Sequence, residues 1–553
     1  MNQSIFDKAV DNLSTIVEEG ARADRKTTSR FIEPAQGTLR RAQSRRHHIV
    51  FGRRGSGKSS LLLKAVEDLI AKDHPIAFVD LEPFKGHHYP DIIISVLIAS
   101  LTKYFQWLES RQYDNNKRLW YTFWLMKQVN EKNNRKQQLL LTINAVISEL
   151  ITQLHLSDNS KLIERIQDSI QEKDEARAKA NARIKNLIAG GSIETDIANA
   201  VESYSSKEVQ EEFKRSKRDY LHRKILEIQD IFRKLNDLTN KDCYLFLDDL
   251  YHIHRADQPH LLDYFHRIAK GNRLWIKIGT IKNRSTWYIH SPQPIGLKLG
   301  DDADEINLDL TLEKFSSSRD FLKSILQVYI DESGAPQFND IVGEGGLDRL
   351  VLSCGGVARD FLGIFRRSID ETRERLRRSR KHHRGPKISA EDVNAASGGY
   401  GDIKKEEFQR DTMEDRVNLE EAFNKIRLFC LDKAKKNIFL VDQELRGKDK
   451  ELLELIDLRL IHHVQSRVTV SSRPGKVFTA LLLDVSQYTG ERARRDVEMI
   501  DFWKQSKKEN LRKASLIFDP RISTTELQRQ IDALKKGIKS GDQLGSEKQG
   551  KLF

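Results

Sequence analysis

The chain has 553 residues, of which 32% are charged and 38% hydrophobic, with a net charge of +13. This length predicts roughly three to five domains. The three cysteines form no C-x-x-C pair, so neither a disulfide framework nor a cysteine metal site is indicated. The start of the chain lacks the pattern of a signal peptide, and the longest apolar stretch, Asp91–Leu101, is too short to cross a bilayer. We therefore expect a cytoplasmic protein without a membrane partner.

After an N-terminal helix in residues 1–30, a short buried strand at Arg45–Gly52 leads into the sequence GRRGSGKS, which fits G-x-x-x-x-G-K-[ST]. In this pattern the loop N–H groups and the next helix surround phosphate oxygens. We predict that Lys58 reaches the β- and γ-phosphates of a nucleotide and that the Ser59 hydroxyl ligates Mg²⁺. The predicted nucleotide-binding set is Gly52, Arg53, Arg54, Gly55, Ser56, Gly57, Lys58, Ser59 and Ser60.

Residues 31–104 are predicted to form the first part of a nucleotide-binding core, and residues 105–240 a helical insertion. The end of the insertion repeats apolar residues at 4-3-4-3 spacing, which is typical of a coiled-coil-like seam. The seam consists of Leu221, Ile225, Ile228, Phe232 and Leu235. We interpret the insertion as an antiparallel hairpin that packs against its own domain or, as the alternative, dimerises. It is also the candidate surface for a protein partner.

The second part of the core is predicted in residues 241–311. There an apolar strand ends in Asp248 and Asp249. Asp248 is predicted to hold Mg²⁺ opposite Ser59, and Asp249 to orient the attacking water, because phosphoryl transfer depends on positioning and charge neutralisation. Strands that alternate with helices indicate a parallel sheet, and hence an α/β fold.

The following strand, Leu274–Ile281, ends in polar residues that we expect beside the γ-phosphate. Thr280 is the predicted sensor of that phosphate, with Asn283 as the alternative. A neighbouring subunit of a homo-oligomer is expected to supply an arginine finger. The candidates for that finger are Arg267, Arg273 and Arg284.

Helices predicted in residues 312–417 form a lid. Residues 418–505 combine helices with two strands, which favours a winged-helix-like domain. Residues 506–553 are predicted to form a helix and a flexible tail. Pairs of adjacent histidines such as His87–His88 point apart on a helix or strand and have no cysteine or acidic partner at ligand spacing, so the sequence does not indicate a zinc site.

Taken in order, the segments GRRGSGKSS, FLDDL, KIGT, SCGGVARDFLGIF and ISAEDVNAA resemble AAA+ ATPases of the origin-recognition and replication-initiator type and the related STAND ATPases. The resemblance covers roughly residues 30–105 and 240–490. It implies ATP and Mg²⁺ as ligands, a lid arginine at Arg359 that contacts the γ-phosphate, and a winged helix that contacts DNA in initiators. The usual Asp-Glu pair is Asp248-Asp249 here, as in many STAND proteins, which implies slow or partner-stimulated hydrolysis.

Two hypotheses about partners follow. In the first, the chain is an initiator-like, DNA-associated ATPase switch. It would belong to a defence or mobile-element system in which a separate protein is the effector. Its duplex-DNA contacts would come from the basic segment Arg373–Lys387, because such runs bind phosphates; a solvated lid loop is the alternative interpretation. The candidate contacts are Arg377, Arg378, Arg380, Lys381, Arg384 and Lys387. In the second, a STAND-like signalling ATPase senses a protein partner without DNA.

Overall fold

The computed structural model describes residues 4–20, 28–111, 122–155, 206–378, 385–411, 416–446, 449–490 and 497–535. Seven strands lie in the first half of the fold: β1 (His47–Phe51), β2 (Ile76–Asp80), β3 (Cys243–Asp248), β4 (Leu274–Thr280), β5 (Tyr288–Ile289), β6 (Ile295–Gly296) and β7 (Ala303–Asn307). Five of them form one sheet in the order β2-β3-β4-β1-β7, in which every neighbouring pair is parallel. The parallel sheet confirms the predicted α/β fold. Strands β5 and β6 form a separate short antiparallel pair.

The first helices of the chain are α1 (Lys8–Glu19), α2 (Thr38–Ala42), α3 (Lys58–Ala71), α4 (Asp91–Ser110), α5 (Thr122–His155), α6 (Ser206–Thr239) and α7 (Gln258–Ala269). They cover both faces of the sheet because alternate residues of each strand point to opposite sides. Leu245 and Leu247 enter a core shared with α4, α6 and α7, whereas Phe246 enters a smaller core with α3. This burial on both faces explains the near-continuous apolar runs of the strands.

Helices α5 and α6 carry the described part of the insertion, and residues 156–205 lie outside the described residues. The five seam residues of α6 are buried in the same core as α4 and the sheet. Helix α4 itself extends to Ser110, beyond the apolar stretch considered in the sequence. By length and composition it is the one helix among the described ranges that could cross a membrane, but 56% of its most apolar window is buried inside the protein.

The remaining helices begin with α8 (Phe315–Ser333), α9 (Phe338–Ile341), α10 (Glu344–Cys354), α11 (Ala358–Arg378) and α12 (Ala390–Asp411). The C-terminal unit contains α13 (Arg416–Leu428), β8 (Ile438–Asp442), α14 (Gln443–Arg446), α15 (Lys450–Asp457), β9 (Ile461–Thr469) and β10 (Val477–Leu483), followed by a helix over residues 524–535. Its sheet is antiparallel in the order β8-β10-β9. Buried residues of α1, the lid helices and this unit form one continuous hydrophobic core.

Four strands differ from the sequence interpretation, and of these β5 and β6 have only two residues each. The sequence does not predict β7, because its residues ADEIN are half polar, as suits the edge of the sheet. It does not predict β8 either, because this five-residue strand lies in a segment otherwise read as helical. Strand β8 is almost wholly buried against β10.

A buried lysine ties the central strand to the segment that precedes β1. The side chain of Lys277 in β4 is fully buried, and its Nζ donates to the backbone oxygens of Ser44 and Arg46, each at 2.7 Å. Burial lowers the pKa of Lys277 to about 7. The lysine therefore satisfies two carbonyl groups at the amino end of the sheet, opposite the loop that follows β1.

We expect Lys277→Met to lower the free energy of unfolding by about 1–3 kcal/mol, because the carbonyl oxygens of Ser44 and Arg46 each lose a hydrogen bond from the ammonium group. The measurement is urea unfolding followed by circular dichroism. Lys103→Met, at an exposed position of α4, is the matched control and should change stability by less than about 0.5 kcal/mol. A Lys277→Met protein as stable as the parent would show instead that desolvation of the amine offsets its hydrogen bonds.

Candidate functional site

The loop between β1 and α3 has the shape that its glycines predict. Gly55 and Gly57 have φ values of 83° and 96°, in the left-handed region that favours glycine. At Gly52 an added Cβ would lie 2.2 Å from the Ser56 hydroxyl. The Ser56 Oγ is buried and has no hydrogen-bond partner among the described residues. A compact loop with an unpaired donor suits a phosphate.

Lys58 begins helix α3 and is buried. Its Nζ lies 3.0 Å from the backbone oxygen of Gly52 and 3.3 Å from that of Arg53. Burial lowers its pKa, and the nearby carboxylates of Asp249 and Asp248 oppose that effect. The ammonium group is thus held inside the loop, facing the acidic end of β3.

The two predicted acidic residues are brought to this loop. Asp248 ends β3, is 4% exposed, and accepts hydrogen bonds from the Ser59 hydroxyl and the Asp249 N–H. Burial and the adjacent charge of Asp249 raise the pKa of Asp248 to about 7. Gly279 in β4 makes room for Asp248, since a Cβ there would lie 2.3 Å from its Oδ1.

Asp249 follows with a left-handed backbone (φ 56°), which turns its carboxylate away from the strand. Aspartate and asparagine tolerate this conformation better than most residues. Burial raises the pKa of Asp249, while the positive charge of Lys58 opposes the rise. The residue therefore lies at the mouth of the loop as a separate carboxylate, beside Asp248.

Arg359, the predicted lid arginine, also lies at the loop. Helix α11 begins at Ala358, and the Arg359 N–H donates to the Gly55 carbonyl over 3.2 Å. A Cβ on Gly55 would lie 2.6 Å from the Arg359 Cβ, so the glycine allows the lid to approach. The predicted lid residue and the predicted phosphate loop are in direct contact.

These groups line one cavity of about 660 Å³. Of the predicted site residues it includes Arg54, Gly55, Ser56, Gly57, Lys58, Ser59, Ser60, Asp248, Asp249 and Arg359. The wall opposite the loop is partly apolar and comes from the N-terminal segment and the lid, including Phe31, Ile32, Phe321, Ile325 and Tyr329. That wall suits the base and sugar of a nucleotide, because it combines apolar surface with a few polar groups.

Sequence reasoning missed several lining residues. Asp80 ends β2 directly beside Asp248 in the strand register, and the end of that buried strand was a signal for it. Arg366 and Arg367 follow Arg359 on α11 at helical spacing and line the same cavity. Arg30, in the N-terminal segment, also lines the cavity and pairs with Glu332 of α8. The contribution of Arg30 had no local signal in the sequence.

Arg53 corrects a prediction. Its side chain does not line the cavity: it is buried and donates to the Asp309 carboxylate and to the backbone oxygens of Leu310 and Gly355. Its N–H also binds Asp309. The side chain thus links the loop to the start of the lid, rather than to a phosphate. Gly52 likewise lies behind the cavity, where its N–H donates to Thr280.

The predicted sensor is not in the cavity either. The Thr280 side chain is fully buried and its hydroxyl bonds to that of Ser285. Asn283, the alternative, uses its N–H to bind the Asp457 carboxylate at 3.1 Å. Among the described residues, neither side chain lies where the sensor role requires it. The end of β4 instead supports the adjacent strand β1.

The arginine-finger candidates occupy different surroundings. Arg273 pairs with Asp242 at the amino end of the sheet, and Arg267 lies 3.2 Å from the Nδ1 of His222 beside the insertion. Arg284 lies over the ring of Tyr251, which lines the cavity. Of the three candidates, Arg284 is therefore the one placed next to the site.

The basic segment is partly used for internal contacts. Arg377 lies over the Phe6 ring, Arg378 pairs with Glu374, and Lys387 donates to the Asn339 carbonyl. The other three predicted DNA contacts, Arg380, Lys381 and Arg384, lie outside the described residues.

Comparisons with known proteins give little beyond this geometry. No family model matches the chain, and no curated protein matches it. One similar solved structure is a Walker-type ATPase of Pyrococcus abyssi, with 13% identity, a TM-score of 0.35, and coverage of 84% of this chain and 95% of that one. The fold assignment rests on the chain's own sheet and loop. A parallel sheet, a glycine-rich loop before a helix, and an acidic strand end beside it together form a P-loop NTPase fold.

Proposed function

We propose that the chain is a Mg²⁺-dependent ATPase that works as a nucleotide-controlled switch. The observation that carries this proposal is the convergence of Lys58, the Ser59–Asp248 pair, Asp249 and Arg359 on one cavity. ATP rather than another nucleotide follows from the resemblance to initiator-like and STAND ATPases.

Each residue has a role that its position supports. The loop amides and Lys58 bind the phosphates, and the Ser59–Asp248 pair offers adjacent oxygen ligands for Mg²⁺. When bound, Mg²⁺ neutralises charge on the phosphate oxygens. Asp249 follows the last residue of β3, and its carboxylate orients the attacking water. Arg359 contributes positive charge from the lid, so its effect on the phosphates depends on the position of the lid relative to the loop.

The switch part of the proposal rests on the residue beside the lid arginine. Asp360 is fully buried and pairs with Arg459 of the C-terminal unit and with Lys404 of α12. Lys404 also binds Asp484, at 2.6 Å. Buried ion pairs add little net stability but select one arrangement, because any other arrangement leaves charges unpaired. The position of Arg359 is thereby coupled to the C-terminal unit.

The same unit contacts the ATPase core directly. Glu454 and Asp457 of α15 bind Arg255 and the Asn283 N–H, respectively. The order helix, strand, two helices and two strands supports a winged-helix-like unit, in which α15 is the helix that would enter a DNA groove. That helix is acidic and covered by the core. This arrangement favours a switch that responds to a protein partner, with DNA as the second candidate because of the net charge of +13.

The pKa of Asp248 gives the first test. Because this pKa is raised to about 7, the carboxyl is largely protonated at pH 6 and cannot ligate a metal ion. We expect the Mg²⁺-dependent part of nucleotide affinity to rise up to about tenfold per pH unit below 7 and to level off above it. Titrations of a fluorescent ATP analogue with Mg²⁺ or chelator measure it. Asp248→Asn should remove the dependence; a flat profile in the parent protein would contradict the assignment.

Two further variants separate binding from hydrolysis. Lys58→Ala should abolish nucleotide binding, whereas Asp249→Asn should keep binding and lower turnover at least about a hundredfold. Asparagine retains the left-handed backbone at position 249, so the change removes only the carboxylate. Phosphate release and analogue binding are measured on the same preparations. Unchanged turnover in Asp249→Asn would remove Asp249 from the mechanism.

The same assay distinguishes the two partner hypotheses. Duplex DNA that stimulates turnover at about 50 mM salt, but not at about 200 mM, would support phosphate contacts and the DNA-associated switch. Turnover that is indifferent to DNA at both salt concentrations would support the protein-partner switch.

Docking of the C-terminal unit can be tested by charge reversal. Arg255→Glu places two carboxylates at the Arg255–Glu454 contact, and we expect bound nucleotide to dissociate about fivefold faster or more, within the usual range of coupling between sites. Glu454→Arg should act similarly, and the double variant should return toward the parent rate. Stopped-flow displacement of a fluorescent nucleotide measures these rates. Equal dissociation rates in the parent protein and the three variants would show that docking of the C-terminal unit does not control nucleotide release.

A further inference from the structure

Two loops bring a pair of histidines and one aspartate together outside the nucleotide cavity. His88 lies in the connection from β2 to α4, and His254 and Asp257 lie in the turn before α7. The Asp257 Oδ2 is 3.3 Å from the Nδ1 of His88 and 3.8 Å from the Nδ1 of His254. All three candidate ligand atoms lie within 4.8 Å of one another. We propose that these residues bind a divalent transition metal of the zinc class.

The distances suit such an ion. Zinc binds imidazole nitrogen at about 2.0–2.1 Å and carboxylate oxygen at about 2.0–2.2 Å in a tetrahedral arrangement. Ligand atoms of a tetrahedral site are then about 3.3–3.5 Å apart, which follows from those bond lengths. The two contacts of Asp257 are within a few tenths of an ångström of that value, and small side-chain rotations close the His88–His254 gap. Two imidazoles and one carboxylate select zinc-like ions over Mg²⁺ or Ca²⁺, which prefer all-oxygen sites.

The backbone fixes the three positions before any ion binds. The Asp257 N–H donates to the His254 carbonyl at 2.9 Å, which closes the turn that presents both side chains. The Gln258 amide, buried beneath that turn, donates to the Ile253 carbonyl at 2.8 Å. On the other loop, the Tyr89 ring stacks on the ring of His260 in α7, with centroids 4.7 Å apart. This stack holds the His88 loop against the helix that directly follows the turn with the other two ligands.

The site is open to solvent and distinct from the nucleotide cavity. The side chains of His88 and His254 are 66% and 42% exposed, so water can complete the coordination. None of the three residues lines the cavity, although Glu82 and His252 of the same two connections do. A bound ion would therefore join the loops that follow β2 and β3 next to the nucleotide, without using the Ser59–Asp248 pair.

The test uses the full-length, metal-stripped protein and Co²⁺ as a spectroscopic probe, with excess Mg²⁺ to occupy oxygen-ligand sites. We expect one equivalent of Co²⁺ to produce visible ligand-field absorption that Zn²⁺ displaces. Binding of Zn²⁺ should also raise the melting temperature, because the ion binds the folded state. The ATPase need not be active, so failure of the proposed function would not affect this result.

Variants locate the ion. His88→Ala, His254→Ala and Asp257→Asn should each weaken Co²⁺ affinity by about tenfold or more. His87→Ala is the matched control: its Nδ1 lies 3.1 Å from the Ser95 hydroxyl, outside the cluster, and binding should be unchanged. The metal-free melting temperature of each variant confirms that it is folded. Absent absorption in the parent protein, or equal loss in His87→Ala and His88→Ala, would overturn the proposal.

Discussion

The site depends on one electrostatic constraint: a buried ammonium group, a buried carboxyl group and a half-buried carboxyl group lie together at the carboxyl end of the sheet. Each of these groups, alone, would cost several kcal/mol to bury in its charged form. Lys58 and Asp248 are both buried where they line the cavity, and the half-buried Asp249 lines it beside them. The opposite charges of the lysine and the aspartates offset part of the free energy that burial costs. The part that is not offset appears as the shifted pKa values of all three groups. Anionic phosphates and a divalent cation complete this charge set, which is why the cavity suits both.

The constraint extends into the lid through two adjacent residues. Arg359 faces the glycine loop, while Asp360 points the other way into a buried network with Arg459 and Lys404. Arg53 makes a second link, from the loop to Asp309 and the Gly355 carbonyl. A movement of the loop is therefore resisted by buried, paired groups on both sides of the start of α11. Such groups have a few discrete arrangements rather than a continuous range, which is what a switch requires.

The sequence predicted those parts of the site that follow from local patterns. Strands buried on both faces give continuous apolar runs, so Asp248 at the end of β3 was identifiable, as was the glycine loop after β1. The far wall was not, because Arg30 and Tyr329 meet there only through the packing of α1 against the lid.

Two errors have the same origin. Thr280 ends its strand as a sensor would, but its hydroxyl is used by Ser285, five residues further on. Arg53 sits within the motif, yet its side chain is committed to a segment 256 residues away. In both cases the residue type and its local position were correct for the predicted role. The partner that occupies the side chain is supplied by tertiary structure, which periodicity and spacing do not encode.

The net charge of the chain does not describe the charge of any one of its surfaces. The excess of basic residues made polyanion binding a reasonable expectation. In the described part of the chain, Arg377, Arg378 and Lys387 of the basic segment are exposed, although each also makes one internal contact. The helix that would read a DNA groove, by contrast, is acidic and docked on the core. A net charge sums over every residue, whereas binding requires charges that are exposed together. The docked acidic helix therefore bears more directly on the partner than the total of +13.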